Sequence, residues 1–145
     1  MEKRKGFTLV ELVVVVMILG ILAAIAAPKL LGTSGTATDN GLRQTLSVVR
    51  DAIERYAAEN NGEFPGTDEP TFKAAIAPYL RGPFPTCPVG ANKDNEVDVT
   101  SSTAVPLPVN GTVTKGWRYS SGSGEFIINS DEGDNSTPQV TYDTY

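Results

Sequence analysis

The sequence predicts an α+β fold: a long N-terminal helix, transmembrane in its first half and amphipathic in its second, packed on a small C-terminal antiparallel β-sheet head. Three observations carry this. Residues 7–27 are apolar apart from Thr8 and Glu11. Leu42, Leu46, Val49, Ile53 and Tyr56 then recur at +4, +3, +4, +3 spacing, one face of a helix. Beyond residue 96, short runs of Val, Trp, Tyr, Phe and Ile alternate with turn-rich connections.

The apolar run, as a helix, spans about 31 Å at 1.5 Å per residue, close to a bilayer core. Its four consecutive valines, 13–16, would favour a strand in water. In lipid every backbone N–H and C=O must find a partner inside the segment, so helix is expected. Lys3, Arg4 and Lys5 precede the run and place its N-terminus on the cytoplasmic side. Glu11 sets a carboxylate one turn into the apolar stretch, where a mid-bilayer charge costs roughly 2.5–3.5 kcal/mol. Lying near the interface it can lean towards the headgroups, helped by the helix N-terminus; the sharper reading is that it awaits a cationic partner. Pro28 lacks an N–H and is expected to end or kink the helix.

The rest of the chain excludes several functions. Its 145 residues fit one domain plus an anchor. The net charge is −5, and without residues 1–6 it becomes −7. An acidic head argues against nucleic acid, because neutralising phosphates requires a basic face. There is no histidine, which removes the commonest general base and metal ligand, and no pairing of carboxylates or lysines stands out. Cys87 is the lone cysteine, so no intrachain disulfide forms, and no activating partner marks it as a nucleophile. The chain does not read as an enzyme.

The string Lys5-Gly6-Phe7-Thr8-Leu9-Val10-Glu11-Leu12 resembles the class III signal of type IV pilins and type II secretion pseudopilins. The resemblance implies cleavage after Gly6 by a prepilin peptidase and methylation of the new amine at Phe7. That amine would lie four residues from Glu11, within one subunit or across two staggered ones. At an effective dielectric near 20, contact at ~4 Å is worth about 4 kcal/mol before desolvation, whereas an unpaired Glu11 in a dry filament core would cost about 3–5 kcal/mol. A secretory signal cut at Ala24-Ile25-Ala26 is the rival reading, but the apolar stretch is long for one, Glu11 interrupts its start and Pro28 follows the cut.

Residues 32–41 (GTSGTATDNG) are glycine-rich, and a weak helix or a break is expected there, since each interior glycine costs about 1 kcal/mol. Along the resumed helix, Arg50 with Glu54 and Asp51 with Arg55 stand at i,i+4 on the solvent side, and Asn60-Asn61-Gly62 stops it. The string Ala58-Glu59-Asn60-Asn61-Gly62-Glu63-Phe64-Pro65 again resembles the family, in particular the major pseudopilin. Asp68 or Thr71 is placed to cap a short helix over 72–80, with Phe72, Ile76 and Leu80 on one face. Pro83, Pro85 and Pro88 then forbid regular helix around Cys87, expected as a small buried or loop residue. Residues 116–119 and 125–129 flank a turn at 120–124 and predict a hairpin, with further strands expected at 97–99, 105–109 and 112–114. Trp117 and Tyr119 are expected in the core against the stalk helix rather than on a ligand platform.

Residues 129–135 (NSDEGDN) gather oxygen ligands around a glycine without EF-hand spacing. A solvated acidic turn is the plain reading. The other is a calcium loop using Asp131 and Asp134, since a head with no disulfide benefits from a staple and the major pseudopilins it resembles hold calcium in a C-terminal loop.

The expected organisation is a cleaved leader at 1–6, a transmembrane and assembly helix at 7–28, a stalk helix at 29–61 and a periplasmic head at 62–145. Phe7, Glu11 and Pro28 are the expected assembly residues, and Gly6 and Phe7 the processing residues. The resemblance implies a structural pseudopilus subunit, a homopolymer drawn from the inner membrane into a periplasmic filament. Its partners would be prepilin peptidase, minor pseudopilins and the inner-membrane assembly platform. A type IV pilus subunit, or a membrane-tethered binding module that never polymerises, are the alternatives.

Overall fold

Thr8 opens the first helix, because its hydroxyl and the carboxylate of Glu11 satisfy the backbone donors a helix start leaves bare. In the computed structural model, which describes residues 6–135 and 139–145 (backbone alone for 29–34), this helix, α1, spans Leu9–Glu59. The Lys3, Arg4 and Lys5 cluster lies outside the described residues.

Of the alternatives open for α1, the helix continues: Pro28 sits inside it rather than ending it, and residues 32–41 are helical without a break. Proline and glycine each remove a little helix stability, but propagation from formed turns adds a bond per residue, and turns stand on both sides. From Asp39 onward tertiary burial adds to that: Asp39, Leu42, Leu46, Val49, Ala52 and Ile53 are buried. At the other end Asn61 takes a left-handed φ of 58° and the Gly62 N–H donates to Ala57 O at 2.8 Å, a six-to-one closure that stops α1 at Glu59 as the Asn-Asn-Gly string predicts.

By internal contacts the chain divides into two compact units, Met1–Gly35 and Thr36–Tyr145. Within the second, α2 spans Glu69–Ile76. Asp68 is its N-cap, accepting from Thr71 N at 2.9 Å while the Asp68 N–H donates to the Thr71 hydroxyl at 3.3 Å. A 3₁₀ turn, Ala77–Tyr79, follows it. Phe72 and Ile76 are fully buried, and Leu80 packs at the core's margin.

Three strands complete the head: β1 Val97–Thr100, β2 Trp117–Ser120 and β3 Phe126–Ile128, in the order β1-β2-β3. The hairpin is present, β2 and β3 pairing antiparallel with Trp117 opposite Ile128 and Tyr119 opposite Phe126. β1 corrects the antiparallel expectation, because it runs parallel to β2 with Val97 opposite Trp117. A parallel neighbour requires a crossover of a dozen residues or more, and residues 101–116 supply it. Residues 105–109 and 112–114 are therefore loop rather than strand. Pro106 and Pro108 lack donors for a ladder, the Leu107 N–H donates to Glu125 at 2.5 Å, and the Thr112 N–H donates to the Asn110 side chain at 3.2 Å.

The inner face of the sheet meets α1 and α2. Tyr119 stacks on Phe72 with ring centroids 4.0 Å apart, and Trp117 stacks on Phe126 at 5.2 Å. Each polar tip is satisfied: Trp117 Nε1–H donates to Pro85 O at 3.0 Å and the Tyr119 hydroxyl to Pro65 O at 2.8 Å. Both are core residues, as expected. Cys87 is buried too, 3.5 Å from Val89 O. Burial pushes its thiol above the ordinary range. On the opposite face Arg118 pairs with Asp98 at 3.2 Å.

Candidate assembly site

Within Met1–Gly35 the site is built from its first described residues. Gly6, Phe7 and Thr8 precede the helix and are exposed, Phe7 at 81%. The Gly6–Phe7 bond therefore lies in non-helical chain, with nothing within 4 Å of a Cβ placed on Gly6. On the described side of that bond, Phe7 and Thr8 are both exposed and outside the helix.

Glu11 has a partner that the sequence reading overlooked. Its Oε2 accepts from the Thr8 N–H at 2.9 Å and from the Thr8 hydroxyl at 2.8 Å, while the Glu11 N–H donates back to Thr8 Oγ1 at 3.2 Å. This is a capping box, Thr-x-x-Glu ahead of an apolar run, and that spacing was the signal available. The box gives the carboxylate hydrogen bonds inside its own chain, which lowers the cost of holding it near hydrocarbon.

Above the box, Leu9–Pro28 is the stretch long and apolar enough, by length and composition, to cross a membrane, and none of it is buried. Even its least exposed valines, Val13 and Val14, show 47% of their surface. Such a surface requires lipid or protein around it. Pro28 closes the stretch.

The structure separates Asp131 from Asp134. Asp131 is exposed, whereas Asp134 is buried: its Oδ2 accepts from Arg43 at 3.2 Å and from the Tyr145 hydroxyl, and its Oδ1 accepts from the Val140 N–H at 3.0 Å. Among the described residues no group of three His, Cys, Asp or Glu side chains is placed to hold a metal ion. A guanidinium thus already stands on Asp134, where a calcium ion would need six to eight oxygens around it. Arg50 also departs from expectation: its Nε and Nη1 donate to Phe126 O at 3.0 Å and Tyr145 O at 2.6 Å, which directs it across the head rather than to Glu54.

With the exposed bond after Gly6, the box at Thr8 and Glu11 and the bare apolar helix in view, comparison with known proteins is direct. Residues 1–27 match the family described as the prokaryotic N-terminal methylation motif. The chain is similar to named proteins well beyond this motif. It is 30% identical to the type II secretion system core protein G of Escherichia coli strain K12 over 95 residues, 66% of this chain and 61% of that protein. It is 39% identical to the core protein G of Vibrio cholerae over 69 residues, 48% of this chain and 47% of that protein. A fimbrial protein, EcpB of Eikenella corrodens, is 41% identical over 68 residues, 47% of this chain and 42% of that protein. The chain thus spans about two-fifths to three-fifths of the length of these relatives. No solved structure matches. The relatives are named as secretion-system and fimbrial proteins, not as enzymes, and the motif with its apolar helix fits a membrane-anchored component.

Proposed function

We propose that this chain is a structural subunit of a type II secretion pseudopilus, cut after Gly6 and N-methylated at Phe7 by prepilin peptidase, and polymerised through residues 7–28. The observation that carries the reading is an apolar helix exposed along its whole length with one carboxylate, Glu11, near its start. In the bilayer, lipid covers that surface and Thr8 satisfies the carboxylate. In a filament, neighbouring copies cover the surface, and the amine freed at Phe7 of one subunit can take Glu11 of the next in place of Thr8. Exchanging neutral donors for a cation makes register the benefit: a misaligned subunit strands a charge, at about 3–5 kcal/mol.

On this reading the precursor sits in the inner membrane with its N-terminus cytoplasmic and its head periplasmic. It meets prepilin peptidase, the inner-membrane assembly platform and minor pseudopilins, and leaves the bilayer as a homopolymer. The similarity to the Eikenella fimbrial protein favours a second reading, a type IV pilus subunit. Both share the processing and the packing, and filaments made only with pilus machinery would select the second.

Two measurements test the proposal. Mass spectrometry of the mature chain is expected to find methylated Phe7 at the N-terminus, and a chain beginning at Ala27 ends the reading. Glu11→Ala is expected to insert normally and lose most filament yield; wild-type yield from that variant would remove the intersubunit role.

A further inference from the structure

Assembly through residues 7–28 makes no use of Asp39 and Asp134, the carboxylates buried among the described residues, which are 4% and 3% exposed and lie far apart in sequence. Burying a carboxylate is costly unless hydrogen bonds or a cation replace its hydration, so what surrounds these two is informative. Asp39, on α1, accepts from the Asn135 N–H at 3.0 Å, from Asn135 Nδ2 at 3.0 and 3.2 Å, and from the Tyr142 hydroxyl at 2.9 Å. One turn further along the same helix, Arg43 donates to Asp134 at 3.2 Å and lies over the Tyr145 ring, 4.1 Å from its centroid. The Tyr145 hydroxyl donates to the same carboxylate.

The segment so held is also closed on itself. Gly133 bridges Thr141, the Asp134 N–H donates to Val140 O at 2.8 Å, and the Tyr142 N–H donates to Glu132 O at 2.9 Å. Burial, followed by the bond to Asp39, pushes the Tyr142 phenol well above its ordinary range; burial and Asp134 push Tyr145 up to about 12. Both hydroxyls are donors at neutral pH.

We propose that residues 132–135 and 139–145 are fastened to α1 by a metal-independent polar latch, in which Asp39 and Arg43 hold Asn135, Tyr142, Asp134 and Tyr145. The latch stands where the family resemblance calls for calcium. Arg43 supplies the positive charge that an ion would have brought, and a second cation beside it would meet repulsion. Neutral donors satisfy Asp39. The inference is independent of the filament reading, since a pilus subunit with this head would carry the same latch.

The test is amide hydrogen exchange on the full-length protein in detergent micelles, with added calcium and with chelator. The Asp134, Val140 and Tyr142 amides report the latch, and the Ser120 and Asn129 amides, bonded to Glu125 O and Gly116 O, report the sheet. Calcium and chelator are expected to leave both sets unchanged. Arg43→Gln and Asp39→Asn are each expected to speed exchange at the latch amides about tenfold while the sheet amides hold. Should a variant speed both sets, Tyr142→Phe, which removes one hydroxyl and keeps the ring, is read in its place and must act on the latch amides alone. Slower exchange with calcium, faster exchange with chelator, unchanged latch amides in Arg43→Gln, or loss of sheet protection in Tyr142→Phe would each overturn the proposal.

Discussion

In the unit Met1–Gly35 the large apolar side chains are exposed from Phe7 to Ile25, whereas in Thr36–Tyr145 Leu42, Leu46, Val49, Phe72, Trp117 and Phe126 are almost wholly buried. The two units contain the same kinds of residue under opposite rules. The head makes its own interior, so its stability is a property of one chain. The described side chains of the N-terminal unit, residues 6–28, are all exposed, and such an apolar surface needs lipid or protein as cover. A substitution should therefore be felt in whichever medium hides the residue.

The largest way to break this contrast is Phe72→Ala. Phe72 is fully buried and stacks on Tyr119, so the change is expected to cost the head about 3–5 kcal/mol. Denaturant unfolding followed through Trp117, the sole tryptophan, would measure it. A loss under about 1 kcal/mol would mean the head is not packed as described.

A smaller effect sharpens the contrast by pH. Burial raises the Glu69 carboxyl, but bonds from Lys115 and Lys73, both at 2.6 Å, outweigh it and hold the group below its ordinary value. A carboxylate with a depressed folded-state pKa contributes stability that is present above its ordinary titration range and is lost as pH falls towards the lower folded value. Glu69→Gln is expected to cost about 1 kcal/mol at neutral pH. The gap from wild type should close as pH falls below about 4.5, the ordinary value for a glutamate. A gap independent of pH would assign the loss to packing. Smallest of all, Val15→Ala in the exposed helix is expected to leave head unfolding within about 0.5 kcal/mol of wild type. A larger shift in the same Trp117 signal would show that the two units do not unfold independently.

What the sequence made legible follows the same division. Local periodicity revealed the apolar run, the 42–56 stripe, the Asn61-Gly62 stop, the Asp68 cap and the hairpin, because each rests on residues within a few positions of one another. The Thr8 and Glu11 box is equally local, because Thr-x-x-Glu spacing ahead of an apolar run gives the acid a partner inside its own chain. The parallel placement of β1 was not legible, since Val97 is no different as a residue whether its neighbour runs with it or against it; the crossover at 101–116 decides that. The sequence left open whether Pro28 ends the helix and whether 32–41 breaks it, because glycine and proline weaken helix locally while support comes from the flanks. Asp39 and Arg43 left little trace beyond an i,i+4 acid–base spacing beside the stripe, because what they hold begins more than 90 residues later.

Cys87 has a practical consequence. The only thiol in the chain lies out of reach of solvent, and its burial keeps the reactive thiolate scarce near neutral pH. Maleimide dyes, spin labels and crosslinkers should therefore ignore the native protein. New cysteines can be introduced one at a time along residues 9–28 and read against a silent background, so that the neighbours of each position can be mapped in a working assembly without altering the head.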